Sequence, residues 1–196
     1  MSEIHRLAIF CGSNPGARPE YVAAARSLAT LLCERGIGVV YGGSSVGLMA
    51  ALADTMLENQ GDIIGVIPRM LVEREVANNA LSDLRIVESM HERKAVMAEL
   101  ADGFMALPGG IGTLEEFFEI WTWAQLGMHD KPCGLLNVAG YFDGLLQFLD
   151  RAVTEKFVRD VHRGMVVVES EPSDLLARFE AYEPPRVVKW INAGTI

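Results

Sequence analysis

The chain has 196 residues, half of them hydrophobic and 22% of them charged, which is enough to bury the core of one globular domain. Its formal net charge of −9 disfavours binding to DNA or RNA, because an acidic surface repels a phosphate backbone. The three cysteines are widely spaced, which argues against a disulfide framework. We find no basic-then-apolar leader, which argues against secretion, and no apolar run of the roughly 18 residues that a membrane span needs. Together these features predict a cytoplasmic protein.

Short apolar runs alternate with longer segments of helical spacing along the chain. The predicted strands cover residues 7–10, 37–41, 63–67, 84–87, 104–107, 134–137 and 165–168. The predicted helices lie between and after them, at residues 19–34, 46–59, 90–101, 112–126, 142–158 and 172–182. Residues 70–83 are the least regular and predict a loop with a helical piece.

This alternation predicts βαβ units, and therefore an α/β fold with a doubly wound parallel sheet and helices on both faces. The strand-like runs Leu-Ala-Ile-Phe and Met-Val-Val-Val are apolar at every position, as a sheet covered on both faces requires. There is no internal repeat and no linker. We expect residues 1–183 to form a single domain and residues 184–196 to form a C-terminal tail.

Small and polar residues follow three of the predicted strands, in the loops 12–14, 42–45 and 108–113. Ligands of an open α/β sheet bind beyond the carboxyl ends of its strands, so we expect these loops to share one polar rim. In the third loop, Pro-Gly-Gly-Ile-Gly-Thr, the glycines let backbone N–H groups turn toward an anion. A helix beginning at Gly112 or Thr113 would add the positive end of its dipole. The loop therefore predicts a phosphate site, and a tight turn without a ligand is the alternative.

Two common nucleotide-binding motifs do not fit this sequence. Residues 42–47 have the spacing of a P-loop, but Leu48 and Met49 stand where Lys and Ser or Thr should be. No G-x-G-x-x-G follows the first strand. The pattern therefore disfavours both NTP hydrolysis and hydride transfer.

Charged side chains flank the third loop. Glu115 and Glu116 follow it, and a carboxylate beside a bound phosphosugar could activate water or stabilise positive charge at an anomeric carbon. Thr113 and Glu116 also fit a capping box, which would give Glu116 a purely structural role. Arg93 opens the preceding helix, where it could clamp phosphate or orient the carboxylate, or lie on a solvated face. The histidines show no metal-ligand spacing.

Aromatic side chains crowd the helix predicted at residues 112–126, namely Phe117, Phe118, Trp121 and Trp123. They cannot all face one direction at 3.6 residues per turn. We expect that helix to be covered by the sheet and by another subunit, and a helix wholly inside a large core is the alternative.

Four segments combine into one recognisable set of motifs: Ser-Met-His-Glu-Arg-Lys at 89–94, Leu-Pro-Gly-Gly-Ile-Gly-Thr-Leu-Glu-Glu at 107–116, Thr-Trp-Ala-Gln-Leu-Gly at 122–127 and Lys-Pro-Cys-Gly-Leu-Leu-Asn at 131–137. The segment 42–49 and the opening Phe-Cys-Gly-Ser also belong to this set. The combined motifs resemble those of the LONELY GUY family, and the resemblance covers nearly the whole chain up to about Glu183.

The resemblance implies a Rossmann-like fold and a phosphoribohydrolase that releases free base and ribose 5-phosphate from cytokinin nucleoside 5′-monophosphates, and often from AMP. It implies Arg93 and Glu116 as the catalytic pair. The binding residues that we assign with it are Ser13, Gly43, Glu75, Lys94, Gly109, Gly110, Ile111, Gly112, Thr113 and Glu115. It implies no metal and no cofactor, and a homodimer or higher homo-oligomer with the site near the interface.

Two other interpretations apply to such a chain. Older labels describe relatives as lysine decarboxylases, but a pyridoxal enzyme needs a Schiff-base lysine in a dedicated cofactor pocket, and none of the four lysines has that context. The second interpretation is a carrier or sensor that binds a nucleotide-like cofactor without catalysing a reaction. Such a protein would not need the Arg93 and Glu116 pair. The base pocket is expected to be apolar, with Met90, Met97, Met128 and Trp123 as open candidates for its lining.

Overall fold

Seven parallel strands form one sheet in the part of the chain that the structure, a computed structural model, describes: residues 4–72 and 77–185. The strands are β1 (Arg6–Phe10), β2 (Gly38–Tyr41), β3 (Ile63–Pro68), β4 (Asp83–Val87), β5 (Gly103–Ala106), β6 (Cys133–Leu136) and β7 (Val166–Glu169). Their order across the sheet is β4-β3-β2-β1-β5-β6-β7. This arrangement, with helices packed on both faces, confirms the predicted doubly wound α/β fold.

The α-helices of the described residues are α1 (Pro19–Glu34), α2 (Gly47–Glu58), α3 (Arg69–Val72), α4 (Met90–Leu100), α5 (Ile111–Leu126), α6 (Asp143–Thr154), α7 (Asp160–Arg163) and α8 (Pro172–Glu180), and a 3-10 turn covers Val138–Gly140. Helix α1 shows how the sequence sets such bounds. Pro19 supplies a φ suited to the first turn, and Gly36, with φ +67°, takes the left-handed conformation that stops the helix. None of these helices is both long and apolar enough to cross a bilayer.

Alternate side chains of β1 pack into two different cores. Leu7 and Ile9 join a core formed with α1, α2 and α8, whereas Ala8 and Phe10 join a core formed with α4, α5 and α6. All four are at most 1% exposed. A strand buried on both faces needs an apolar residue at every position, which is why its unbroken apolar run predicted it correctly.

The direction in which the chain crosses the sheet reverses at β1. Strands β1 to β4 extend the sheet on one side, and α4 then carries the chain back so that β5 pairs with the other side of β1. In that pairing Leu7 lies opposite Gly103, and Phe10 lies opposite Ala106. The loops that leave β1 and β5 therefore part at a topological switch point, where open α/β sheets bind their ligands.

The single helix predicted at residues 142–158 is too long by its last four residues. Helix α6 ends at Thr154, and Lys156 takes a left-handed φ of +65° before α7 begins at Asp160. The Lys156 N–H donates to the Val153 carbonyl, so the last turn closes on the backbone. Apolar residues continue past Thr154, so periodicity alone extended the predicted helix beyond its observed end, and it did not predict α7.

The irregular segment after β3 contains the predicted helical piece, α3, which covers Arg69–Val72. Beyond it, Ala77 forms an isolated antiparallel bridge with Ser44. Glu75, assigned to substrate binding from the sequence, lies outside the described residues, so that assignment stays a prediction.

Candidate active site

A cleft of about 400 Å³ opens at the carboxyl edge of the sheet, beside the switch point. All three loops predicted to share a rim contribute to its walls, together with residues of α2, α3, α4 and α5. The lining residues are Cys11, Ser13, Gly42, Ser44, Val46, Met49, Leu71, Met90, Arg93, Gly110, Ile111, Gly112, Thr113 and Glu116. No cluster of three or more His, Cys, Asp or Glu side chains suited to a metal ion occurs within residues 4–72 and 77–185.

The glycine-rich loop leads into the N-terminus of α5. Gly110 is the N-cap, in an extended conformation, and no side chain caps the helix. The N–H groups of Ile111, Gly112 and Thr113 find no hydrogen-bond acceptor among the described residues. Free N–H groups at the positive end of a helix dipole favour an anion, so this end of the cleft suits a phosphate.

Glycine at position 109 lets the loop fold closely over Thr113. A Cβ on Gly109 would lie 2.2 Å from Thr113 Oγ1 and 2.9 Å from the Gly12 nitrogen. The Gly12 N–H in turn donates to the Pro108 carbonyl at 3.0 Å, which ties the loop after β1 to the loop after β5. The loop conformation therefore depends on the missing side chain.

The capping-box interpretation of Thr113 and Glu116 is wrong. The helix begins at Ile111 and not at Gly112 or Thr113, so Thr113 is the third residue of the helix rather than its cap. Glu116 is buried, and its carboxylate turns away from the helix end toward a basic side chain.

That basic side chain is Arg93, whose Nη1 lies 3.2 Å from Glu116 Oε1. Each of the two side chains is only 9% exposed, so the ion pair sits in the floor of the cleft. Arg93 Nε is buried and has no hydrogen-bond partner among the described residues. The guanidinium therefore keeps donor capacity beyond its carboxylate partner.

Local interactions fix the turn that carries Arg93. The N-cap residue of α4, Ser89, accepts a hydrogen bond from the Glu92 N–H at 3.1 Å, and the Glu92 carboxylate accepts one from the Glu88 N–H at 2.7 Å. The guanidinium then passes against the backbone of Gly42, where a Cβ would lie 2.1 Å from Arg93 Nη2.

The electrostatic environment of Glu116 combines opposing effects. Burial raises the pKa of its carboxyl group above the usual range, and the neighbouring Glu115 and Glu119 carboxylates add to that rise. Arg93 and Lys94 favour the charged form and reduce the rise. A raised pKa brings the carboxyl group of Glu116 closer to the pH range in which a general acid or base is most effective.

Lys94 and Glu115, assigned to substrate binding from the sequence, pair with one another outside the cleft lining. Lys94 Nζ contacts Glu115 Oε1 and lies 2.8 Å from Glu119 Oε2. Burial lowers the pKa of this ammonium group, but its bonds to the two carboxylates outweigh that effect, so the net change is upward. Both acidic residues belong to α5, so Lys94 joins α4 to α5.

Of the other residues assigned to substrate binding, some line the cleft and others do not. Ser13 lines the cleft with Gly110, Ile111, Gly112 and Thr113, whereas Gly109 lines a smaller adjoining cavity. Gly43 lies behind the wall with a φ of +70°, where a Cβ would meet Ile67 and Leu84 at 3.1 Å.

The sequence patterns did not predict most of the residues that form the apolar wall of the cleft. Val46, Met49 and Leu71 line it, although Val46 and Met49 were noticed only for their helical spacing. Of the candidates left open for a base pocket, Met90 lines the cleft, whereas Met97 is fully buried in the core. Which members of an amphipathic helix face a cavity depends on packing between distant elements, and periodicity does not contain that information.

The aromatic residues of α5 pack mainly against the core that this helix shares with the sheet, α4 and α6. Phe117 and Trp121 are buried, and Phe118 and Trp123 pack against the same core. The helix is not wholly internal, because Ile111 is 84% exposed.

A doubly wound parallel sheet, an anion-binding helix N-terminus at its switch point and a buried arginine–glutamate pair together define a Rossmann-like α/β protein. A family described as "Possible lysine decarboxylase" matches residues 49–179.

The names of similar curated proteins describe an activity more specifically than this family description does. The chain is 50% identical over 184 residues to a "Probable cytokinin riboside 5′-monophosphate phosphoribohydrolase" of Oryza sativa subsp. japonica, covering 94% of this chain and 75% of the relative. It is 46% identical over 183 residues to a cytokinin riboside 5′-monophosphate phosphoribohydrolase of Arabidopsis thaliana, covering 93% and 84% of the two chains. The chain therefore belongs to the LONELY GUY family, as its motifs suggested.

Solved structures support the fold. A molybdenum cofactor binding protein from Rippkaea orientalis superposes with a TM-score of 0.68 at 19% identity, covering 92% of this chain and 98% of the other. The molybdenum cofactor carrier protein of Chlamydomonas reinhardtii superposes with a TM-score of 0.68 at 18% identity, covering 91% and 98%. At these identities the likeness shows a shared fold alone.

Proposed function

We propose that the chain hydrolyses the N-glycosidic bond of cytokinin riboside 5′-monophosphates, and of AMP, to release the free base and ribose 5-phosphate. The observation that carries this proposal is the buried Arg93–Glu116 ion pair, one helical turn from the unpaired N–H groups of α5. That spacing suits a ligand whose anionic end and reacting carbon are a few bonds apart. The names of the relatives at 46–50% identity support the same reaction.

In this proposal the 5′-phosphate binds at the start of α5. The N–H groups of Ile111, Gly112 and Thr113 and the Thr113 hydroxyl serve as donors, and the helix dipole adds favourable charge. Gly109 and Gly110 shape the loop. The phosphate fixes the ribose so that its anomeric carbon faces Glu116, which lies in the next turn of the same helix.

The chemistry then follows from the ion pair. The bond from the ribose C1′ to the base nitrogen breaks with its electron pair leaving on the base, and the positive charge that develops on the sugar is stabilised by the Glu116 carboxylate. A water oxygen bonds to C1′ and gives a proton to Glu116, which returns it to solvent to complete the cycle, while the base takes a proton from solvent. Arg93 orients Glu116 and favours its charged form. The products are one free base and one ribose 5-phosphate for each water consumed.

The apolar part of the cleft suits the base. Val46, Met49, Leu71 and Met90 offer a surface against which a purine and an apolar N6 substituent can pack. A decarboxylase reaction fits less well, because none of the described residues that line the cleft is a lysine that could form a Schiff base.

Replacing Glu116 with Gln tests the proposal. The substitution keeps shape and hydrogen bonding but removes the charge, so we expect kcat for AMP and N6-isopentenyl-AMP to fall by about 10²- to 10⁴-fold while KM changes little. Free base is measured by chromatography. Glu155→Gln, which changes an exposed carboxylate directly after α6 and outside the cleft lining, is the matched control and should retain wild-type turnover. Near wild-type base release by Glu116→Gln would exclude the assigned role.

A cofactor carrier is the alternative, and the solved structures of carriers share this fold. The sequence identities do not favour it, since those carriers are 18–19% identical to the chain whereas the phosphoribohydrolases are 46–50% identical. Tight nucleotide binding by the wild-type chain with no release of base would reverse this preference.

We also propose a cytoplasmic homodimer in which the second copy covers the mouth of the cleft. Apolar residues at that mouth are well exposed in one chain: Val46 by 38%, Met90 by 36% and Ile111 by 84%. Covering them would exclude water from the reacting atoms. The assignment to the cytoplasm rests on three free thiols, two of which are buried.

A further inference from the structure

The cleft adjoins a second cavity of about 260 Å³, and the two share Ser13 and Gly110 in their walls. Tyr141 lines this second cavity and does not line the cleft. Its hydroxyl donates a hydrogen bond of 2.5 Å to the carbonyl of Gly109, the residue directly before the N-cap of α5. A side chain outside the cleft is thus bonded to the loop proposed to hold the phosphate.

The peptide between Gly109 and Gly110 is unusually free to rotate. Neither flanking residue has a Cβ, so both can adopt backbone conformations closed to other residues. The peptide is trans, and in a trans peptide the C=O and the following N–H point in opposite directions. Whatever holds the Gly109 carbonyl therefore also sets the direction of the Gly110 N–H.

Tyr141 is itself held in place from several sides. Ala139 and Gly140 take left-handed φ values of +50° and +72°, which turn the chain sharply after β6. Asn137 closes this turn, because its side-chain oxygen accepts a hydrogen bond of 2.7 Å from the Phe142 N–H.

The Tyr141 ring is positioned by aromatic neighbours. It makes an edge-to-face contact with Tyr21 at 5.6 Å between ring centroids, and another with Phe142 at 5.0 Å. The hydroxyl is therefore presented to Gly109 from a preformed position.

We propose that Tyr141 is a positioning residue for the phosphate loop. By holding the Gly109 carbonyl on the side of the second cavity, it turns the Gly110 N–H toward the cleft as a further donor for the anion. This role rests on the proposed phosphate site, but it does not require that any bond be cleaved there. It also explains why the β6–α6 connection, which contributes nothing to the cleft lining, reaches back to the loop after β5.

The test compares Tyr141→Phe with wild type for two ligands that contain no N-glycosidic bond. Ribose 5-phosphate carries the phosphate, and adenine does not. Phenylalanine keeps the ring contacts and removes the hydrogen bond, so binding of ribose 5-phosphate should weaken by about three- to tenfold in titration calorimetry. Binding of adenine should stay within about twofold. Tyr21→Phe is the matched control, because Tyr21 packs on Tyr141 in the same cavity without bonding to the loop.

Turnover provides a second measurement on the same variants. Tyr141→Phe should raise KM for AMP and leave kcat within about twofold, since the hydroxyl does not touch the reacting atoms. Unchanged affinity for ribose 5-phosphate, or an equal loss for adenine, would overturn the positioning role. Hydrolysis of AMP without a phosphate-specific effect of Tyr141→Phe would overturn this inference and leave the proposed reaction standing. A phosphate-specific effect without hydrolysis of AMP would support the positioning role and overturn the proposed reaction.

Discussion

Gly42 and Arg93 occupy adjoining space at the floor of the cleft, and the arginine reaches Glu116 because position 42 has no side chain. The two residues lie 51 positions apart in the sequence, on the end of β2 and the start of α4. Nothing local in either segment predicts their contact. The dependence of a charged pair on a distant glycine is therefore a property that only the folded chain reveals.

Gly42→Ala should displace the guanidinium from Glu116. The added Cβ would lie 2.1 Å from Arg93 Nη2, so the side chain must move while the strand can remain in place. We expect kcat/KM for AMP to fall by at least about tenfold, the size of effect that loss of an orienting partner produces, with little change in the far-ultraviolet circular dichroism spectrum. Gly144→Ala is the control, since a Cβ there meets nothing within 4 Å. Equal activity of both variants would contradict the assigned contact.

The raised pKa of Glu116 has a visible consequence for the pH dependence of turnover. If the carboxylate is the active form, kcat/KM falls as the pH falls, and the midpoint of this acid limb should lie above the ordinary glutamate value of about 4.3. The limb is measured with AMP, and circular dichroism at each pH confirms that the chain stays folded. An acid limb centred at or below the ordinary value would argue against a buried Glu116 as the base.

The same shift has a defined sign for stability. The folded chain holds the Glu116 proton more tightly than the unfolded chain does, because burial disfavours the charge. The stabilising contribution of this group is therefore complete below the ordinary glutamate pKa and is lost as the pH rises through the folded pKa. Glu116→Gln should remove that dependence from the free energy of unfolding.

At the scale of elements, two adjacent cations at the start of α4 bind three carboxylates of α5. Arg93 forms an ion pair with Glu116 at the cleft, and Lys94 forms ion pairs with Glu115 and Glu119 beside it. Because Arg93 and Lys94 are neighbours, the second contact fixes the helices against each other in the register that the first contact needs.

Lys94→Met should loosen this packing. It leaves two carboxylates without their cation in a half-buried site, so we expect the free energy of unfolding to fall by about 1–3 kcal/mol in urea titrations. This is less than a fully buried pair would lose, because the Glu115 side chain is 51% exposed. Arg151→Met, which breaks the exposed pair with Glu155, should cost no more than about 0.5 kcal/mol. Equal losses in the two variants would show that the Lys94 contacts do not hold the helices together.

The elements differ in how well the sequence predicted them. The strands were found because a doubly covered sheet leaves an unbroken apolar run, as in Leu7 to Phe10. The start of α5 was predicted one or two residues late, at Gly112 or Thr113, and the capping pattern of Thr113 and Glu116 is not formed because Gly110 is the N-cap and Glu116 pairs with the distant Arg93. The Gly-rich loop was identified from its glycines and the helix that follows it, and the family resemblance singled out Arg93 and Glu116 as a pair. Gly42 and Tyr141 depend on contacts that no local pattern encodes.

At the scale of the whole molecule, the proposed homodimer predicts a mass in solution twice that of one chain, measured by light scattering after gel filtration. Ile111→Glu places a charge among the apolar side chains at the cleft mouth, so the dimer should dissociate at a concentration at least about tenfold higher. Phe157→Glu is the control, because Phe157 is 88% exposed in the turn between α6 and α7, outside the cleft lining. A wild-type chain that is monomeric at all concentrations would exclude the arrangement.

The pairing of β1 with β5 joins segments that are far apart along the chain. Leu7 lies opposite Gly103, so this seam cannot form until nearly half of the polypeptide has been looped back on itself. Closing so long a loop is entropically costly, whereas the successive parallel crossovers from β1 to β4 join segments that are closer along the chain. Both walls of the cleft meet at that seam. During refolding, the ability to recognise a nucleotide should therefore emerge only after most of the helical signal has returned, and a newly synthesised chain acquires its chemistry late.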